Sequence, residues 1–154
     1  MQTFLPYRDF SKTASCFDFV SGSRRLRKQL IEVKQILQTL NGETEGWCNH
    51  PAVRMWLHAE DALVLYGKAI FKELKKRGYG AAYKEVCNDI ESFYVGDPFF
   101  PLWLGNKSFH RSHQSNLLRK DKQHYSQFNW KVSDRLDYVW PINGKDDLKC
   151  LKKS

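Results

Sequence analysis

Ser23-Arg24-Arg25-Leu26-Arg27-Lys28-Gln29-Leu30-Ile31-Glu32-Val33-Lys34-Gln35-Ile36-Leu37-Gln38-Thr39-Leu40 is the stretch whose reading decides the fold. Leu26, Leu30, Val33, Leu37 and Leu40 recur at alternating spacings of four and three, the period of one helix face. Ser21 to Ser23 supply turn and N-cap chemistry ahead of it, and Asn41-Gly42 supplies a C-terminal stop. A helix with one apolar stripe must bury it against other helices or a sheet, so the rest of the chain has to provide the matching faces.

It provides helices. Pro51 to Arg77 reads as a second long helix, with Pro51 at a first-turn position where a missing N–H is harmless and Val53, Trp56, Leu63, Tyr66, Ile70 and Leu74 inward. Ala81 to Tyr94 reads as a third, turning Tyr83, Val86, Ile90 and Phe93 inward, and Gly96-Asp97-Pro98 closes it. A shorter helix from Ser11 to Phe19 is expected ahead of the first long one, capped by Ser11, with Ala14, Phe17 and Val20 inward. Pro98 to Phe109 is irregular but too apolar for a solvated linker, so it is expected to pack onto the body. A last helix covers Ser112 to about Tyr125, followed by aromatic residues through Pro141. The expected architecture is all-α: a compact single-domain helical bundle with long ordered connections over residues 1–142, and a polar C-terminal tail over 143–154. Phe4-Leu5 and Tyr138-Val139-Trp140 could pair as short extended pieces.

Lys and Arg number 25 against 17 Asp and Glu, a formal net charge of +8, so an anionic partner is attracted and nucleic acid leads the candidates. The plain alternative is a merely soluble basic protein, because net charge by itself does not specify a ligand. The four cysteines, Cys16, Cys48, Cys87 and Cys150, form no C-x-x-C pair, which fits reduced thiols and a cytoplasmic protein. Glu60, Asp61 and Lys68 interrupt the most hydrophobic stretch, well short of the roughly 20 apolar residues a membrane helix needs. A Walker loop, a dinucleotide G-x-G-x-x-G and a G-x-S-x-G elbow are all missing, which weakens nucleotide-driven and serine-hydrolase readings.

Candidate site residues fall into five groups. Arg24, Arg25, Arg27 and Lys28 crowd the start of the first long helix, where cations oppose the helix dipole and invite an anion such as phosphate, although a solvated charged face is the plain alternative. Glu32, four residues after Lys28 on that side, is either an ordinary ion-pair partner or a proton acceptor. Trp47, Asn49 and His50 precede the second long helix, where Asn49 or His50 can cap it, or the loop can face a ligand with Trp47 stacking on a base. Ser112-His113-Gln114-Ser115-Asn116-Leu117-Leu118-Arg119-Lys120-Asp121 carries more polar chemistry than packing alone requires, and so points to recognition. His110, His113 and His124 raise a metal site, but no acid or cysteine nearby completes a ligand set, and neither a metal nor an organic cofactor is expected.

The opening Met1-Gln2-Thr3-Phe4-Leu5-Pro6-Tyr7, the run Arg25-Leu26-Arg27-Lys28-Gln29 with Glu32 and Gln35-Ile36-Leu37, the Asn49-His50-Pro51 motif, the Ser112 to Tyr125 block and Tyr138-Val139-Trp140-Pro141 together resemble a family grouped with pyrimidine dimer DNA glycosylases of the phage endonuclease V type. The resemblance runs from Met1 to about Pro141 and implies a compact all-α bundle that excises pyrimidine dimers. It further implies attack on the sugar by an N-terminal α-amine, with a glutamate on the first long helix moving protons. An α-amino group has an ordinary pKa of about 7.7–8.0 against about 10.4 for lysine, which makes it the better nucleophile near neutrality. The sequence departs from the family at Gln2, whose bulk should keep Met1 in place, and at Leu30, the position aligned with the glutamate or next to it. Glu32 is the candidate on geometry.

The implied function is a DNA repair glycosylase with associated AP-lyase activity on damaged or modified pyrimidines, acting through an imine. Met1 and Glu32 are its catalytic residues, and Arg24, Arg25, Lys28, Trp47, Asn49, His50, His113, Asn116, Arg119 and Lys120 its DNA contacts. The partner is damaged double-stranded DNA, bound by a monomer. The departures at Gln2 and Leu30 leave open a non-catalytic nucleic-acid-binding module, and the histidines a metal-dependent nuclease.

Overall fold

In the computed structural model, which describes residues 1–141, helices carry the chain and no strand occurs among the described residues. The order is α1 (Phe10–Cys16), α2 (Val20–Leu40), α3 (Pro51–Arg54), α4 (Glu60–Lys76), α5 (Gly80–Glu91), α6 (Lys107–Lys120) and α7 (Lys122–Tyr125), then a 3-10 turn at Ser126–Phe128. The all-α expectation holds. The expected polar tail at 143–154, with Cys150, lies outside the described residues. No helix of the described residues is long and apolar enough to cross a membrane. Cys16 and Cys87 are free and buried, as the expectation of reduced thiols has them.

Several boundaries differ from the sequence reading, each for a local reason. Asp9, not Ser11, caps α1: its carboxylate accepts from the Lys12 N–H at 2.8 Å. The expected helix from Pro51 to Arg77 is broken between α3 and α4. His58 takes a left-handed φ of 64°, and the Met55 carbonyl released by the break accepts from the Trp103 indole at 3.1 Å. Glu60 and Asp61 then open α4, where acids favour the exposed N–H groups and the helix dipole. Asp121 divides the last expected helix by capping α7, accepting from the His124 N–H at 3.1 Å.

The helices close on a core built by α2 and α4, with α1 and α5 against α4. Leu26, Leu30, Val33, Ile36 and Leu37 of α2 are buried with Leu63, Tyr66, Ile70 and Leu74 of α4. The backbones approach closely at Gly67, where an added Cβ would lie 3.0 Å from Val33 and 3.2 Å from Ile90.

Through this bundle runs a non-helical N-terminal segment whose residues Thr3 to Pro6 are buried. An extended chain inside a protein leaves backbone N–H and C=O groups that must find partners. Side chains supply them here. The Gln29 amide of α2 accepts from the Phe4 N–H at 2.8 Å and donates to the Gln2 carbonyl at 3.0 Å, as a neighbouring strand would. Tyr66 of α4 donates to the Phe4 carbonyl at 2.8 Å, and the Trp56 indole donates to the Thr3 hydroxyl at 3.0 Å. From α6, His113 Nδ1 accepts from the Leu5 N–H at 3.0 Å, His110 Nδ1 lies 2.7 Å from the Leu5 carbonyl, and Gln114 donates to the Pro6 carbonyl at 2.8 Å. Phe4-Leu5 and Tyr138-Val139-Trp140 do not pair as strands; they meet through the Phe4 and Tyr138 rings, with centroids 6.3 Å apart.

Two outcomes test this clamp. Gln29→Leu keeps the volume but orphans the Phe4 N–H and the Gln2 carbonyl, each worth about 1–3 kcal/mol when left unmade in the interior. Urea unfolding should show a midpoint lowered by the equivalent of about 2 kcal/mol or more, with the slope unchanged. The second concerns acid. Burial above all, with the repulsion that a protonated His110 would add, pushes His113 down to about 3. The unfolded chain protonates this histidine near pH ~6.5 while the fold refuses the proton, so stability should fall between pH 6.5 and 3, by up to about 1.4 kcal/mol per pH unit for one residue. The His113 ring resonances should accordingly stay unchanged from pH 8 to 5; a midpoint near 6 would disprove the neutral clamp.

Candidate functional site

The clamped segment delivers Met1 to the surface beside α2. Gln2 donates its N–H to Glu32 Oε2 at 3.2 Å, and Lys28 Nζ stands 3.8 Å from Glu32 Oε1. Glu32 is buried, unlike a residue on a solvated face. Met1, Gln2, Phe4, Gln29 and Glu32 line one cavity of about 510 Å³. Its walls include Arg24, Arg25 and Lys28 from the start of α2, Lys120 from the end of α6, and Tyr138 from the returning chain. Two basic segments far apart in sequence therefore converge on the first residue of the chain. Leu30, the position aligned with the family's glutamate, is fully buried in the core and cannot reach this cavity.

The cations are not equivalent. Arg25 is bonded to Asp18, whose buried carboxylate also accepts from the Tyr125 hydroxyl at 2.8 Å; an unpaired buried carboxylate would be costly, so this arginine has a structural duty as well as a place in the wall. Lys120 lies over the Phe4 ring at 5.8 Å, and burial, together with the charges of Arg25, Arg119 and Lys28, lowers its pKa. Arg24 and Lys28 are exposed at the rim. Such a concentration of like charge around one cavity is stabilised by a polyanion.

The Trp47 to His50 loop does not line this cavity; it approaches the wall through Trp140, whose ring lies 6.2 Å from His50 and 5.5 Å from Tyr138. His50 Nδ1 accepts from the Ala52 N–H at 3.1 Å, so it caps α3 as one of the two sequence readings required. Its pKa is nevertheless lowered, first by burial and then by the N-terminal ammonium, with Glu32 acting in the opposite sense. That dependence puts it within electrostatic reach of Met1 and Glu32. Trp47 is 52% exposed with its ring 5.6 Å from His50, and Asn49 is exposed.

The polar block of α6 has a different role from the one its composition suggested. His113 is wholly buried and Asn116 nearly so, which removes both from direct contact with DNA. Asn116 Nδ2 donates to the Leu136 carbonyl at 3.2 Å, Ser115 accepts from the Leu136 N–H at 2.9 Å, and Ser112 accepts from the Val139 N–H at 3.1 Å. Arg119 donates to the Asp134 carbonyl at 2.9 Å and to Asn116. The block recognises the protein's own C-terminal segment and so sets Tyr138 into the cavity wall. Sequence reasoning missed Gln29, Tyr138 and Asp18. Gln29 carried a signal, because it lies three residues after Leu26 and four before Val33, a polar residue at a core-period position.

The histidines are occupied by backbone: His110 and His113 by Leu5, and His124 by the Cys16 carbonyl at 2.7 Å. Among the described residues no group of three or more His, Cys, Asp or Glu is arranged to hold a metal ion. Burial pushes the Cys16 thiol up to about 12, which makes it a poor nucleophile.

The model of the pyrimidine dimer DNA glycosylase family matches residues 1–85. That span holds Met1, Glu32, the α2 cations and the Trp47 to His50 loop, and ends before α6. No curated protein and no solved structure matches the chain. With more than half of the 154 residues matched, including the clamped N-terminal segment and its glutamate, the chain belongs to the pyrimidine dimer DNA glycosylase family, whose substrate is DNA.

Proposed function

We propose that this protein excises damaged pyrimidines, pyrimidine dimers foremost, from double-stranded DNA and then cleaves the strand as an AP lyase. The observation that carries the proposal is the meeting of Met1 and Glu32 in one cavity ringed by Arg24, Arg25, Lys28 and Lys120. The cations hold phosphates on either side of the lesion, and Trp47, Asn49 and His50 hold the distorted nucleotide, because chemistry at a glycosidic bond requires access that a stacked duplex denies.

The amine heading the mature chain, Met1 here, supplies the nucleophile. Its lone pair forms a bond to the sugar C1′ while the glycosidic bond breaks and the base leaves with that electron pair, taking up a proton. Loss of an amine proton and opening of the sugar ring give an imine. The imine acidifies the C2′ hydrogen; its removal expels the 3′ phosphate oxygen, and water then hydrolyses the imine to return the amine. Glu32 carries these protons; the reading is supported by its Oε2 accepting from the Gln2 N–H and its Oε1 facing Lys28. Neither a metal nor an organic cofactor enters these steps.

Two experiments test the reading. Binding to ultraviolet-irradiated duplex should weaken steeply with salt, and the triple variant Arg24→Ala, Lys28→Ala, Lys120→Ala should flatten the log–log slope by about 0.9 per lost phosphate contact. An unchanged slope would remove this surface. Borohydride should trap a covalent protein–DNA adduct that maps to Met1 or whichever residue heads the mature chain. Glu32→Gln keeps an acceptor for the Gln2 N–H, so it should bind normally yet turn over about 100-fold or more slowly. An adduct at Lys120 would reassign the nucleophile. Absence of trapping and of cleavage on ultraviolet-damaged, abasic and modified-pyrimidine substrates would leave a non-catalytic DNA-binding module.

A further inference from the structure

Asp18 and Val20 both line the cationic cavity, and Phe19 stands between them. Phe19 is 63% exposed and Val20 60%, contrary to the sequence expectation that Val20 turns inward. Single exposed apolar side chains are ordinary. This pair is not free to lie flat on the protein, however, because the backbone around it is fixed on both sides.

On one side, the Arg77 guanidinium lies under the Phe19 ring, 4.0 Å from its centroid. Arg77 is itself immobilised: it donates to the Phe17 carbonyl at 2.8 Å, the Asp18 carbonyl at 3.0 Å and the Ser23 hydroxyl at 3.1 Å, and its Nε pairs with Glu73 at 3.0 Å. On the other side, Ser21, Gly22 and Ser23 are consecutively left-handed, with φ of 51°, 65° and 57°. Serine enters that region at a cost, and local strain of this kind persists only where surrounding contacts enforce it. Arg27 enforces it, donating to the Gly22 carbonyl at 2.8 Å and to the Ser21 carbonyl at 3.0 Å. One face of the Phe19 ring is therefore backed by a rigid cation while the ring as a whole remains largely open to solvent.

We infer that Phe19, with Val20 beside it, is a stacking wedge that enters the duplex next to the nucleotide drawn into the cavity. An apolar side chain inserted between base steps props open a kink, but only an aromatic one also replaces the stacking lost when a nucleotide leaves the helix. The occupant is DNA and not another protein, because the neighbouring wall carries Arg24, Arg25, Lys28 and Lys120, which would hold the phosphates on either side of the opened step. The inference rests on the proposed DNA-processing role and adds a residue to it.

The test compares Phe19→Ala, Phe19→Leu and Phe19→Trp with the wild-type chain on a duplex containing one cyclobutane dimer and on the same duplex undamaged, by fluorescence anisotropy across a salt series. The wedge predicts that Phe19→Ala weakens binding of the damaged duplex by about tenfold or more, the scale of one lost stacked base, with the salt slope unchanged. The undamaged duplex, which offers no opened step, should lose much less. Phe19→Trp should bind like the wild type, and Phe19→Leu, which still covers Arg77 without an aromatic face, should lose affinity without a fall in melting temperature. Equal loss on both duplexes, or full affinity in Phe19→Leu, overturns the wedge. Unchanged affinity in Phe19→Ala, with loss in the Arg24, Lys28, Lys120 variant, overturns it and leaves the DNA-processing role standing. Failure of the wild-type chain to bind either duplex overturns both.

Discussion

The structure depends on one constraint: an extended N-terminal segment buried in a helical bundle, with its backbone satisfied by side chains. Gln29, Tyr66, His110, His113 and Gln114 come from three helices, and each bonds a backbone group that would otherwise be stranded in the core. Helices cannot offer strand edges, so only side chains with donors and acceptors can meet an extended chain there. The outcome is positional. Once Gln2 to Pro6 are fixed, Met1 has little choice of location, and it emerges beside Glu32.

Both histidines of the clamp must be neutral to serve it. His113 accepts from an N–H through Nδ1, while His110 faces a carbonyl through Nδ1 and accepts from the Gly105 N–H through Nε2 at 2.8 Å. Protonation would set a donor against a donor at each ring. Burial, which lowers both pKa values, and hydrogen bonding thus favour the same protonation state, and the fold uses both imidazoles in the neutral form, His110 bonded through both ring nitrogens and His113 through Nδ1.

Charge and polarity are divided between inside and rim. Arg77 and Arg25 bind carbonyls and the buried Asp18, tying α4 and α2 to the connection that follows α1. Arg24, Lys120 and Lys28, the last 3.8 Å from Glu32, stand around the cavity in a concentration that disfavours itself until an anion arrives. The same division explains α6: its hydroxyl and amide side chains hold Leu136 and Val139, Arg119 holds Asp134, and its terminal lysine faces outward.

The sequence by itself determined that the chain is helical, because a repeat of three and four in Leu26, Leu30, Val33 and Leu37 can place its apolar groups on one side only of a helix. Its net charge of +8 also pointed toward an anionic partner, and it singled out Met1, Glu32 and the two basic segments. It did not determine the break at His58 or the split at Asp121, where acids that read equally well as surface residues act as helix starts. Nor did it distinguish Glu32 from Leu30, or tell that the polar block of α6 looks inward at His113 and Asn116 and outward at Lys120. Those were decided by tertiary structure, because a polar side chain carries the same donors and acceptors whether its partner is a ligand or another part of the chain, and only packing fixes which of the two it meets.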